Sequence, residues 1–301
     1  MRRGPESLWM RGAIAIAGLQ CSLFLVLMLR PGSVAIYLWI FGPGSLVVIA
    51  SLALLAGLRA SLARRPLWSW PRATAGALLI ATIAVSRFAY QTYPSSHDRE
   101  VSAVRFRLPL DGPVHVAWGG ATPAVNYHVQ FPDQRWAYDL IVRQGGLRHR
   151  GRGDRLEDYF VFGLPVVAPA AGVVRSVNDG EPDKPIGRRW RGGDPAGNHV
   201  VLEVAPHQYL FLGHLESGSV EVGPGDTVRA GQRLGRVGNS GRTPVPHLHI
   251  HLQDSPVLGF GEGIPLYFHG YRCGGKLVDC GIPTGGATEQ VVEQVPAEPA
   301  R

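Results

Sequence analysis

The sequence predicts an N-terminal three-helix transmembrane region followed by a mainly-β domain. Three observations carry that prediction. Residues 1–93 hold three long apolar blocks, residues 94–301 hold short β-rich runs punctuated by Gly, Pro, Asp and Asn, and the charge divides between the two parts. The chain has 301 residues and is 18% charged, below the roughly 25% usual in soluble proteins. Its 39 Gly and 24 Pro lack collagen-like periodicity, and three cysteines exclude a disulfide-dense scaffold. The formal net charge of +7 invites a nucleic-acid partner. Residues 1–93 alone, however, carry nine Arg and one Glu, so residues 94–301 sum to −1. Nucleic-acid binding falls away with the near-neutral balance of the larger part.

The apolar blocks run over about residues 12–29, 34–58 and 73–90. Each is long enough to cross a bilayer, which takes about 20 apolar residues. Arg2, Arg3 and Arg11 ahead of the first block would suit a signal peptide. No small-residue cleavage site follows it, and two further apolar blocks do. Arg87, near the end of the third block, is placed to snorkel to the interface. Arg59, Arg64, Arg65 and Arg72 lie between the second and third blocks, and Arg30 alone lies between the first and second. Positive charge stays inside, so the N-terminus is expected to be cytoplasmic. Three crossings of the inner membrane then put residues 94–286 in an extracytoplasmic, periplasmic domain.

In that domain β-rich runs cover about residues 114–118, 136–142, 166–168, 173–177, 199–204 and 209–212. Residues 143–158 and 179–197 read as loops, and residues 287–301, with Pro, Glu and Ala, read as a disordered tail. An oxidising location permits a disulfide between Cys273 and Cys280. Cys21 falls inside the first apolar block.

The most informative segment is Pro246-His247-Leu248-His249-Ile250-His251. Residues two apart share one face of a strand, so three imidazoles line one side while Leu248, Ile250 and Leu252 line the other. Such a stripe is poor core material and points to metal or acid–base chemistry. Catalytic zinc commonly takes three protein ligands from His and carboxylate, with the fourth position open. Asp139, a lone acid among β-formers from Arg135 to Val142, supplies a carboxylate. His214 ends the apolar run Tyr209-Leu210-Phe211-Leu212-Gly213, where an imidazole can act as base or oxyanion donor.

Together these pieces resemble the lysostaphin/LytM-type zinc metallopeptidases, the duplicated-hybrid-motif enzymes that cut peptidoglycan peptides. The likeness covers about residues 115–270. Its carriers are the Asp139 strand, Val167 to Val174, Gly197 to Leu202, Gly213-His214-Leu215, Gly223 to Gln232 with Gly238 to Gly241, and the closing His247-Leu248-His249. The resemblance implies an antiparallel β-sheet of barrel-sandwich form, Zn2+ as cofactor, peptidoglycan peptides as substrate, and a role for the membrane as anchor. It makes Asp139 and His249 zinc ligands, and His214 and His247 the catalytic pair that orients water and stabilises the oxyanion.

One position departs from the family pattern His-x-x-x-Asp: four residues before Asp139 stands Arg135, which is always protonated and cannot bind zinc. If residues 131–134 form a hairpin turn, His128 lies opposite Ala137, on the face of Asp139 and diagonal to it. His128 is therefore the candidate third ligand. His251, where the family often has Glu, is the fallback, and a site without zinc is the third alternative. Two functions follow. One is a membrane-anchored zinc endopeptidase; the other is a catalytically silent domain that binds and activates other cell-wall hydrolases, for which Arg135 is the main support. A biotinyl or lipoyl carrier is set aside, because Lys184 and Lys276 lack the hairpin-tip context. His199 reads as packing, and His97, His115, His149, His207 and His269 lack motif context.

Overall fold

The computed structural model describes residues 5–29, 32–63 and 69–296, with side chains from Leu8 onward. Arg2, Arg3, Arg30, Arg64 and Arg65, read above for orientation, lie outside the described residues, as does the end of the tail, residues 297–301. The chain divides into two units, Met1–Ser96 and His97–Arg301.

The first unit is three helices: α1 (Pro5–Leu29), α2 (Ser33–Leu62) and α3 (Trp70–Phe88). Ser69 caps α3 by accepting from the Arg72 amide, and Pro71 sits in its first turn, where a missing N–H costs nothing. Two stretches, Leu8–Leu29 and Ser33–Leu62, are long and apolar enough to cross a membrane. The third, expected as a further span, falls short. Its 19 residues take in Pro71 and Arg72 at the start and Arg87 at the end. The helices pack closely: Gly57 leaves room for the Trp9 ring, which would collide with any Cβ there, and the Trp9 indole donates to the Ala53 carbonyl at 3.0 Å.

The second unit is mainly antiparallel β. Its strands are β1 (Pro113–Trp118), β2 (Tyr138–Ile141), β3 (Pro165–Val167), β4 (Gly172–Asn178), β5 (Asn198–Ala205), β6 (Gln208–Leu215), β7 (Thr227–Val228), β8 (Arg233–Arg236), β9 (Leu248–Gln253), β10 (Gly263–Ile264), β11 (Phe268–Cys273), β12 (Lys276–Gly281) and β13 (Val291–Gln294). One sheet runs β12-β11-β13-β1-β2-β9-β6-β5-β4-β7, with β10 added to β9, and β3 pairs β8 in a second, small sheet. The barrel implied by the resemblance does not close. β7 is two residues long and pairs only with β4, while β12 at the far end pairs only with β11, so both edges stay open.

Alternation along β9 buries Leu248, Ile250 and Leu252 in the main core with Leu140, Tyr138, Leu210 and Leu212 of the neighbouring strands. The opposite face of β9 carries its histidines. Two other expectations change. The tail is not disordered through residue 294: β13 lies between β1 and β11, with Val292 fully buried opposite Val114. Two adjacent valines were enough to complete the sheet, despite the polar residues around them. Cys273 and Cys280 are both free. The β11–β12 register sets Cys273 opposite Lys276 and Cys280 opposite His269, which leaves the two residues about 14 Å apart along the ladder at about 3.4 Å per residue.

Candidate metal centre

The site begins with one row of the sheet. β9 lies between β2 and β6, and its His249 stands opposite Asp139 on one side and Gly213 on the other. Directly opposed residues have Cβ atoms about 5 Å apart, so Asp139 and His249 meet without any adjustment of loops. His249 Nδ1 lies 3.0 Å from Asp139 Oδ1. His214 follows Gly213 at the end of β6, with its backbone in the left-handed region at φ 61°. That conformation, unusual outside glycine, is held by the His214 amide donating to the Ala196 carbonyl at 2.8 Å.

His128 arrives by a route different from the expected hairpin. Residues Tyr127–Gln130 form a single 3-10 turn, and β2 starts only at Tyr138. Asn126, fully buried, causes this. Its Oδ1 accepts from the His128 amide at 3.0 Å, and its Nδ2 donates to the carbonyls of Gly120 and Ala137 at 2.9 and 3.1 Å. An Asn that satisfies its neighbours' backbone in this way favours a turn over a strand. His128 Nε2 nevertheless ends 3.5 Å from Asp139 Oδ1. The donor atoms of His128, Asp139 and His249 all lie within 4.8 Å of one another, and all three residues are buried.

Hydrogen bonds behind the two imidazoles decide which ring nitrogen is bare. The Asn126 Oδ1 also accepts from His128 Nδ1 at 3.0 Å, so the proton of this ring is on Nδ1 and its Nε2 lone pair faces Asp139. Burial lowers the His128 pKa to about 3, so the ring is neutral. On the other side, Gln253 Nε2 donates to the carbonyls of Ser255 and Val257 at 2.6 and 2.9 Å, which turns its Oε1 toward His251 Nε2 at 3.0 Å. His251 donates there, and burial keeps it neutral by pushing its pKa well down. Its Nδ1 must then accept from His249 Nε2 at 3.0 Å, which leaves the His249 Nδ1 lone pair facing Asp139. Three acceptors thus converge. Asp139 is ionised: burial opposes its charge, but the surrounding imidazoles, His128 and His247 foremost, hold its pKa well below the usual range.

Two ring nitrogens and a carboxylate aimed at one another are held together by a shared proton or by a cation between them. Tetrahedral zinc with ligands at about 2.0–2.1 Å separates them by about 3.3 Å. The observed separations from Asp139, 3.0 and 3.5 Å, bracket that value. Two imidazole nitrogens and a carboxylate are a donor set of the kind zinc takes, and His251 lies behind His249 with Nδ1 3.0 Å from its Nε2.

His214 and His247 complete the pocket. His214 Nδ1 donates to the Ser240 carbonyl at 2.8 Å, and His247 Nδ1 donates to the Val245 carbonyl at 2.9 Å with Thr243 Oγ1 at 3.2 Å. Both rings keep Nε2 for the site, with their centroids 4.8 Å apart. His247 Nε2 is 3.5 Å from Asp139 Oδ1. Burial, then the neighbouring His247 and His249, lower the His214 pKa well below its ordinary value. In His247 burial opposes the proton, but Asp139 outweighs it and the pKa rises. Tyr127 faces the same carboxylate: burial first, then Asp139, push its phenol up.

Arg135 does not enter this cluster. Its guanidinium donates to the Ala121 carbonyl at 3.0 Å, lies 4.5 Å over the Trp136 ring and faces Asp98 at 3.9 Å. His199 also stays outside, half-buried with Nδ1 on the Gly197 carbonyl at 2.8 Å. Sequence reasoning missed Asn126, Gln253, Ser240 and Thr243. Only Gln253 carried a signal, as the next polar residue on the histidine face of β9.

Residues 157–258 match the family model described as Peptidase family M23. The M23 match spans about a third of the chain and takes in His214, His247 and His249, while His128 and Asp139 precede it. Solved structures are similar in part. The catalytic domain of a mutant of the prophage-encoded M23 protein EnpA from Enterococcus faecalis is 21% identical, over 55% of this chain and 95% of that one, with TM-score 0.36. A zinc containing peptidase from Vibrio cholerae is 21% identical over 53% of this chain with TM-score 0.33, and the match spans only 39% of that protein. The catalytic domain of lysostaphin from Staphylococcus simulans is 18% identical over 50% of this chain and 86% of its own, with TM-score 0.30. No curated protein matches the chain.

Two expectations follow from the geometry. Replacing Gln253 with Leu removes the acceptor that sets the His251 and His249 protons, and should lower zinc affinity about 10–100-fold in chelator competition. Unchanged affinity would refute the relay. In metal-free protein, His128, His214 and His251 stay neutral when folded but protonate near 6.5 when unfolded. Stability should therefore be full above pH 6.5 and fall as pH drops toward about 3, the His128 value, with the raised His247 giving only a partial opposite contribution. Thermal unfolding at pH 7.5 and 5 in chelator checks the sign.

Proposed function

We propose that the chain is a membrane-anchored zinc metallo-endopeptidase that hydrolyses peptide bonds in peptidoglycan from outside the cytoplasm. The observation that carries this reading is the convergence of donor atoms of His128, Asp139 and His249 within 4.8 Å of one another, with His128 Nε2 and His249 Nδ1 facing Asp139 Oδ1 at 3.5 and 3.0 Å. His128, Asp139 and His249 are the metal ligands in this reading. A zinc ion held there would supply Lewis-acid activation of water and of the scissile carbonyl.

The remaining work falls to His214 and His247. Each is fixed through Nδ1 to a backbone carbonyl and offers Nε2 to the same space. One ring takes the proton of the attacking water, and the other donates to the oxygen on which negative charge develops. Burial of all five groups keeps bulk water from competing for those hydrogen bonds. The silent, activator reading draws on the loss of an imidazole at Arg135; the approach of His128 Nε2 to Asp139 at 3.5 Å supports the enzyme reading.

Anchoring rests on the N-terminal helices. α3 is proposed as a third crossing beside the two apolar helices. Its Ser86 donates to Gln20 of α1 at 2.7 Å, and Gln20 donates to the Tyr90 hydroxyl at 2.6 Å. Polar groups of α1 and the α3 end are thus satisfied by one another, as lipid requires. The 19 residues of α3 reach about 28 Å, close to a hydrocarbon core of about 30 Å. The number of crossings decides the side: three put the β domain opposite the N-terminus, two put it on the same side.

Purified full chain should hold about one zinc and cleave isolated peptidoglycan. His128→Ala should lower zinc affinity at least about 100-fold, whereas His214→Ala should keep zinc and lose hydrolysis by about 10²–10⁴-fold. Zinc-loaded wild type without cleavage of any wall peptide would return the activator reading. Alkaline phosphatase fused after Ser95 should be active; an inactive fusion, with a cytoplasmic reporter active at that point, would remove the third crossing.

A further inference from the structure

Residues 181–192, read from sequence only as a loop, form one wall of an open cleft of about 410 Å³ whose other wall includes Gly241. That volume lies within the about 300–1,000 Å³ range of ligand clefts. Lys184, Arg188, Arg189 and Arg191 line it, against one acid, Glu181. The Glu181 carboxylate is already engaged by the Asp194 amide at 3.2 Å. The neighbouring acids in the segment are engaged by backbone: Asp183 accepts from the Ser217 and Asn239 amides at 2.9 and 2.6 Å, and Asp194 from the Ala196 amide at 2.8 Å. Among the described residues no ion pair engages Arg188, Arg189 or Arg191, and all three are exposed. Trp190 lines the same cleft, and its indole Nε1 is buried without any acceptor.

The cleft is tied to the candidate catalytic imidazoles by a single loop. Asn239 Nδ2 donates to the Lys184 carbonyl at 2.7 Å, Lys184 Nζ donates to the Thr243 carbonyl at 2.9 Å, and the Gly187 amide donates to the Pro244 carbonyl at 2.9 Å. The same stretch supplies Ser240 to His214 and Thr243 to His247. One loop, residues 239–244, thus touches both the cationic cleft segment and the two imidazoles.

We propose that this cleft is a subsite for a free carboxylate of the peptide substrate, gripped by Arg188, Arg189 and Arg191. Guanidinium groups suit carboxylates because their N–H fork matches both oxygens. The class of ligand rests on the peptidase reading above; the anion preference itself does not.

The test is equilibrium binding of a peptidoglycan stem tetrapeptide, and of the same peptide with every carboxylate converted to carboxamide, to the zinc-loaded full chain in phosphatidylcholine nanodiscs. The acid should bind about tenfold more tightly than the amide. The triple variant Arg188→Gln, Arg189→Gln, Arg191→Gln should lose that preference. Equal binding of acid and amide, no binding of either, or a preference that survives the triple change would overturn the subsite. If the triple change alters behaviour only in phosphatidylglycerol discs, the arginines serve a lipid surface and the subsite is likewise overturned. Hydrolysis is scored separately: a retained acid preference without cleavage fails the peptidase reading alone, and cleavage of acid and amide with equal KM fails the subsite alone.

Discussion

The β2–β9 register is the constraint on which the candidate site depends. It sets Asp139 directly opposite His249, and the β6–β9 register continues that row to Gly213, beside His214. Three strands distant in sequence thus deliver a carboxylate and two imidazoles to one place. A slip of one residue in either pairing would turn the His249 face into the core and expose Ile250 in its stead. The apolar residues on the reverse of β9 guard against that slip, because Leu248, Ile250 and Leu252 are all buried. Core packing and site assembly are therefore two faces of one strand.

Placing the groups is only half of the problem, since buried imidazoles and a buried carboxylate satisfy one another in several ways. The structure restricts them from behind. Asn126 and Gln253 each spend both amide hydrogens on backbone carbonyls, so each presents only its oxygen to a histidine. Proton positions then follow in sequence through His128 on one side and through His251 and His249 on the other. Backbone carbonyls do the same for His214 and His247. Every ring nitrogen that faces Asp139 or the open side of the site is left without a protein donor, the arrangement expected when outer groups orient ligands for a cation.

Much of this was legible in the sequence, for physical reasons that differ by residue. The stripe His247, His249, His251 shows itself because a strand repeats every two residues and histidine is out of place in a core. Asp139 shows itself as a charge among β-formers. The tail was not legible: Val291 and Val292 form a strand only because β1 and β11 stand ready on either side. Nor was the open edge of the sheet, because closure depends on the lengths of the strands at its two ends. Asn126 illustrates a third kind of difficulty. Its four hydrogen-bonding contacts go to Gly120, Ala137 and His128, and they exist only once the turn has formed.

Arg135 shows why the proposed site does not depend on the position four residues before Asp139. Gly263 packs so tightly on this segment that a Cβ would lie 2.9 Å from the Arg135 amide nitrogen and Cβ, and the Gly263 amide donates to the Pro132 carbonyl at 2.7 Å. The backbone at Arg135 is thereby fixed, and its side chain leaves toward Ala121, Trp136 and Asp98. The charge stays clear of the Asp139 cluster, so it neither fills the space nor repels a cation there. What the site needs at that corner is a neutral nitrogen within reach of Asp139, from whatever point in the chain. The turn held by Asn126 brings one from seven residues earlier, at His128, and orients it with the same amide that made the turn.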